Sequence, residues 1–181
     1  FYSKGAQPVT DAFALTALRE LLDALPALGR EGDRPGTGIF QRAVEGAALS
    51  GLTYANSWLG IGHSVCHSLG GRFAVSHGKA NATVLPQSLR FNLDTARDRI
   101  ARAARAIGAA GAADDGEAAA ALVAAIDRLA AGLGAPTCLR DLGIEQDALG
   151  RIADDVLADP QTYWNPRSAD RGEIVAWLKS F

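Results

Sequence analysis

The chain has 181 residues, 48% of them apolar and 21% charged, with a formal net charge of -2. That length and apolar content suit a single core, so one domain spanning residues 1–181 is expected. The near-neutral balance gives no basic field for nucleic acid or an anionic membrane, and no stretch resembles the ~18 apolar residues of a membrane span, so a soluble, cytoplasmic protein is expected.

Helical spacing begins behind Thr10 and Asp11, where Phe13, Leu15, Leu18, Leu21, Leu22 and Leu25 recur at threes and fours, and it predicts a first helix ending near Pro26. A turn-rich stretch follows over residues 29–38. Apolar character over residues 39–70, interrupted by small residues at Gly46, Gly51, Gly60 and Gly62, predicts two buried helices in close contact. Residues 79–91 read as a helix kinked at Pro86, because an internal proline removes a backbone donor and crowds the preceding turn. Residues 94–107 place Arg97, Arg99, Arg102 and Arg105 opposite Ile100, Ala103, Ala104 and Ile107, which predicts a solvated basic face.

The alanine-rich segment 109–134 has the composition of a linker, yet Leu122, Ile126, Leu129 and Leu133 keep helical register behind Asp114 and Asp115, so a packed helix is predicted. Two shorter helices are expected near residues 145–158 and 170–179, on either side of the stretch TYWNPR. Period-two alternation is nowhere sustained and no internal repeat is detectable. The expected fold class is all-α, a multi-helix bundle.

The chain starts at Phe1 and contains no methionine, so a trimmed product or a fragment of something longer is expected. The two cysteines, Cys66 and Cys138, are too few for a disulfide framework and form no CxxC pair, which fits a reducing compartment.

The chemical signal lies in the three histidines, His63, His67 and His77, all inside GIGHSVCHSLGGRFAVSHGKAN. His63 and His67 are four apart, which puts both rings on one helix face. Gly70 and Gly71 supply a helix stop, after which the chain can turn back and bring His77 to the same point. Neutral imidazole is a common ligand for Fe²⁺ and Zn²⁺, so this convergence is a candidate metal site. The plainer alternative is a helical bundle whose histidines pair with backbone carbonyls; an isolated HxxxH pair usually is a satisfied core or surface feature, and confinement of every histidine to one segment brings the metal site level with that alternative. Cys66, rotated ~100° from His67 along the helix, suits a buried apolar role better than that of a ligand.

The same residues resemble the iron-dependent alcohol dehydrogenases and their relatives the maleylacetate reductases, whose signature GxxHxxxHxLG followed by HGxxNAxxLP is matched by GIGHSVCHSLGG and HGKANATVLP. SKGAQPVTDAFAL, LRDLGI and YWNPR are also typical of that group, so the resemblance covers nearly the whole chain and implies the C-terminal helical domain of its members. The CHxLGG form leans toward the maleylacetate reductases, and HGKANA toward the general alcohol dehydrogenases.

The resemblance implies His63 and His77 as metal ligands, with Fe²⁺ as the first candidate and Zn²⁺ as the second. It implies that His67 lines the pocket where substrate meets nicotinamide, either moving a proton or orienting its neighbours. The implied reaction interconverts an alcohol and a carbonyl compound by hydride transfer with NAD or NADP.

In that family the remaining ligands, an aspartate and a histidine, sit on a helix ending just before the part that matches FYSKGA, and a nucleotide-binding α/β domain precedes them. Residues 1–181 contain neither, and residues 29–38 have neither the preceding strand nor the spacing of a phosphate loop. The resemblance therefore implies an N-terminal nucleotide-binding domain as the missing partner, an isolated chain without activity, and a possible homodimer. Trp58, Phe73 and Trp164 are candidates either for a surface that the absent domain covers or for the core. The competing function class is a non-catalytic helical module that retains the scaffold.

Overall fold

The structure is a computed structural model describing residues 1–32, 35–111 and 114–181. Residues 33 and 34 of the expected turn stretch, and 112 and 113 of the alanine-rich segment, lie outside the described residues. Helices Pro8–Glu31 (α1), Thr37–Ser57 (α2), Ile61–Phe73 (α3), His77–Ala106 (α4), Asp115–Gly132 (α5), Leu149–Ala158 (α6), Pro160–Tyr163 (α7) and Arg171–Leu178 (α8) follow one another, with short 3₁₀ turns at Arg140–Leu142 and Gln146–Ala148. There is no strand among the described residues, so the all-α expectation holds. No helix is long and apolar enough to cross a membrane, among the described residues.

Two apolar clusters organise these helices, and α4 runs through both. The first gathers Ile61, Val65 and Leu69 of α3, Val84 of α4, Ile152 and Val156 of α6, and Ile174 and Leu178 of α8. The second joins Ile100 and Ala104 of α4 to Leu122 and Ile126 of α5, with Leu15, Leu18 and Leu22 of α1 against it. At 1.5 Å of rise per residue, the 30 residues of α4 reach roughly 45 Å, long enough to serve both.

Several expectations are corrected. The first helix does not stop near Pro26 but continues to Glu31. It lies along α2, with Arg42 bridging Glu20 at 2.6 Å and Asp23 at 2.8 Å and Gly46 close against Leu21, so packing carries the helix past the missing donor. Its start is Gln7, whose N–H donates to Thr10 Oγ1 at 2.9 Å, with Pro8 in the first turn where no donor is needed. The two buried helices expected over residues 39–70 are unequal: α3 is buried on one face, whereas α2 buries only Gly46, Thr53 and Ser57 and leaves Phe40, Val44, Leu52 and Tyr54 exposed.

The irregularity in α4 falls at Ala96 (φ -130°, ψ 24°), not at Pro86. Thr95 Oγ1 donates to the Asn92 carbonyl at 3.3 Å, taking the acceptor that the Ala96 N–H would use in a regular helix. Nor is the arginine face wholly solvated. Arg99 and Arg102 both donate to the buried carboxylate of Asp11, and Arg99 also donates to the Phe1 carbonyl and lies over the Phe1 ring at 4.3 Å, which pins the start of the chain to α4. Asp114 caps α5 by accepting the Glu117 N–H at 2.9 Å; Leu122 and Ile126 are buried, while Leu133 ends the helix partly exposed.

Gly70 and Gly71 do not end α3, which continues to Phe73 and stops at Ala74 in the left-handed region (φ 54°, ψ 27°). Arg72, paired with Asp155 of α6, holds the extra turn in place. An L-residue pays for that conformation and glycine does not, so Ala74→Gly is expected to raise stability by about 0.5–1 kcal/mol. Thermal unfolding should register it as a melting temperature about 2 °C higher.

Candidate active site

The segment bearing His63 and His67 is seated from its N-terminus. The Ile61 N–H donates to Asn165 Oδ1 at 3.2 Å and the Leu59 N–H to Gln161 Oε1 at 2.9 Å, so the α7 region satisfies donors that a helix start leaves open. Asn165 is buried and also faces Asn92 of α4: its Nδ2 donates to Asn92 Oδ1 at 2.8 Å, and Asn92 Nδ2 donates back to Asn165 Oδ1 at 3.1 Å. A Cβ at Gly60 would stand 2.8 Å from Asn165 Oδ1, and one at Gly62 would stand 3.0 Å from Ser88 of α4, so both glycines permit the close approach.

With α3 and α4 locked in this way, the three imidazoles gather. Ring centroids lie 5.6 Å apart for His63 and His77, 6.3 Å for His63 and His67, and 6.1 Å for His67 and His77. Two imidazoles sharing an ion, with metal–nitrogen distances of ~2.1 Å, have centroids roughly 5–6 Å apart, and the spacing of His63 and His77 falls in that range. Burial first, and then the neighbouring rings of His77 and His67, bring the His63 pKa from 6.5 down to about 4, which leaves its ring neutral and able to ligate at pH 7. The set is incomplete: no group of three or more His, Cys, Asp or Glu is arranged to hold a metal ion among the described residues.

His67 Nδ1 lies 2.7 Å from Asp159 Oδ2, across the seam between α3 and the α6–α7 junction. One residue on, Ser68 donates to Asp155 Oδ2 at 2.6 Å. The Arg72 guanidinium holds the Asp155 carboxyl down to about 2, against a smaller opposing effect of burial, with the Ser68 hydroxyl helping to lower it. Sequence reading found neither aspartate, because both lie more than 80 residues from their partners; the helix register of 155 and 159, four apart, was the available signal.

Beside His63 and His77 opens a largely apolar cavity of about 520 Å³, bounded by Tyr2, Leu15, Trp58 and Leu85 among others. Trp58 has φ 59° and ψ -176°, a conformation that costs an L-residue of order 1–3 kcal/mol, and its indole stacks on that of Trp164 at 5.6 Å. Of the three residues expected on a covered surface, only Trp58 is exposed; Trp164 is partly buried and Phe73 packs against the first apolar cluster.

Comparison with known proteins gives this constellation its context. Residues 1–181 match the description "Fe-containing alcohol dehydrogenase family, C-terminal". The chain belongs to this family. A 1,3-propanediol dehydrogenase of Klebsiella pneumoniae is 34% identical over 97% of the chain and 45% of its own length. A maleylacetate reductase of a Rhizobium species (strain MTP-10005) is 29% identical over 98% of the chain and 46% of its length. The crystal structure of a 1,3-propanediol oxidoreductase superposes with a TM-score of 0.91 at 33% identity, over 99% of this chain and 47% of that one. The chain thus spans a little under half the length of these relatives. As a member of this family, it has the helical fold of their C-terminal part, and both groups suggested by its motifs, alcohol dehydrogenases and a maleylacetate reductase, are among its relatives.

The neutral His63 ties stability to pH. In the unfolded chain this ring takes a proton below about 6.5, whereas in the folded chain it stays neutral until about 4, so the unfolded state binds the extra proton and is favoured as pH falls between those values. His63→Asn should flatten the fall in melting temperature over that window relative to the parent chain.

Cys66 is buried, and burial pushes its thiol up to about 12. A colourimetric disulfide reagent at pH 8 should therefore count one reactive thiol, Cys138, in the native chain and two after denaturation.

Proposed function

We propose that this chain is one helical domain supplying two metal ligands and a proton-handling group to an NAD(P)-dependent alcohol dehydrogenase or carbonyl reductase. The observation that carries this reading is the approach of His63 and His77 to 5.6 Å between centroids, with His63 held neutral and a cavity beside them. His63 and His77 are the residues that would hold the cation, Fe²⁺ before Zn²⁺ given the family's description. A divalent ion there supplies a Lewis acid for the substrate oxygen, and nicotinamide supplies or accepts the hydride.

His67, on the same face of α3 as His63, takes the hydroxyl proton when the alcohol is oxidised and returns it when the carbonyl is reduced. The apolar walls keep water from competing for the hydride. Neither lysine nor arginine lines the cavity among the described residues, which favours an uncharged alcohol or carbonyl substrate over a dicarboxylate such as maleylacetate.

The length of the relatives supports a preceding nucleotide-binding domain that contributes the remaining ligands and covers the open side of the cavity. Its partners are then that domain, a small-molecule substrate and a second copy in a homodimer, in a soluble, cytoplasmic enzyme.

The test joins the chain to the segment encoded upstream. The complete protein should oxidise small alcohols in a metal- and nicotinamide-dependent way. His63→Ala and His77→Ala should each lower both bound metal and turnover by about 100-fold or more. The 181-residue chain alone should hold little metal after dialysis. A full equivalent of tightly held iron or zinc in that chain would sink the ligand assignment.

A further inference from the structure

The carboxylate behind His67 is built in, and its surroundings say what it does. Asp159 joins α6 to α7 with a side chain only 16% exposed. Its Oδ1 accepts the Gln161 N–H at 2.7 Å, capping α7, and its own N–H donates to the Asp155 carbonyl at 2.9 Å. One oxygen is thereby committed to backbone, and the other faces His67 Nδ1 at 2.7 Å. Neither lysine nor arginine pairs with Asp159 among the described residues, so the imidazole is its side-chain partner.

A carboxylate only accepts hydrogen bonds, so this contact requires the proton on Nδ1. The neutral ring then carries its lone pair on Nε2, at the edge away from Asp159. We infer that Asp159 is a positioning residue, holding His67 in the Nδ1–H tautomer so that Nε2 is the nitrogen left to accept a proton. In alcohol oxidation the O–H bond breaks toward Nε2 while the carbon's hydride goes to nicotinamide. The imidazolium so formed, its charge offset by Asp159 across the ring, then passes the proton on to solvent. Reduction runs the same transfers backwards. The tautomer stands on geometry alone; its use in turnover rests on the proton-handling role proposed above for His67.

Two measurements test this. With only three imidazoles in the chain, long-range ¹⁵N–¹H spectra resolve each ring. His67 should carry its proton on Nδ1 in the parent chain. It should revert toward the Nε2–H form in Asp159→Ser, where serine still caps α7 but is too short to reach the ring. In the complete enzyme, Asp159→Ser should lower kcat about 10–100-fold with metal content and KM nearly unchanged, and should have no further effect in a His67→Ala background. A proton on Nε2 in the parent chain overturns the inference, as does an equal loss of kcat with and without His67; both leave the metal-site reading intact. An Nδ1–H tautomer combined with full kcat in His67→Ala overturns the proton-handling role itself.

Discussion

Two buried amides, Asn92 and Asn165, hold the site half of the molecule in register. Each donates to the other, Asn165 also accepts the first N–H of α3, and its remaining donor capacity goes to the Arg167 carbonyl at 2.7 Å. A buried amide without partners would cost on the order of 1–3 kcal/mol, and a satisfied pair accepts only one relative placement of the elements that carry it. No buried side-chain nitrogen or oxygen lacks a partner among the described residues. The start of α3, the middle of α4 and the loop after α7 are thereby fixed to one another, and the histidine geometry follows from that.

The second constraint is the seam between α3 and α6. His67, Ser68 and Arg72 meet Asp159 and Asp155, so that polar contacts flank the apolar contacts of Val65 and Leu69 with Ile152 and Val156. Apolar packing sets the separation of the two helices, and the directional pairs set their rotation and register. A small slide along this seam would separate His67 from its carboxylate before it cost much burial.

Much of the fold was legible from periodicity. The helices expected near residues 145–158 and 170–179 form as α6 and α8, and the alanine-rich segment folds behind Asp114 because Leu122 and Ile126 are buried despite its low complexity. Misreadings cluster where long-range packing overrides a local signal. Pro26 was read as a helix end and Pro86 as a kink, yet α1 continues past the first and α4 is irregular at Ala96 instead of at the second, because neighbouring elements hold both helices. The double glycine was read as a stop, and Arg72 carries α3 beyond it. Arg99 was assigned to solvent because its partner, Asp11, is 88 residues away.

The amino-acid order alone determined that the protein is helical, that its imidazoles share one segment, and that His63 and His67 occupy one helix face, because these properties depend on spacing within a few turns. Only the tertiary structure decided that His77 returns to the same point, that His63 is desolvated enough to stay neutral, and that Asp159 stands behind His67. Desolvation and hydrogen-bond partners come from chain segments far apart in sequence, and no local pattern encodes which of several equally spaced aspartates will meet a given ring.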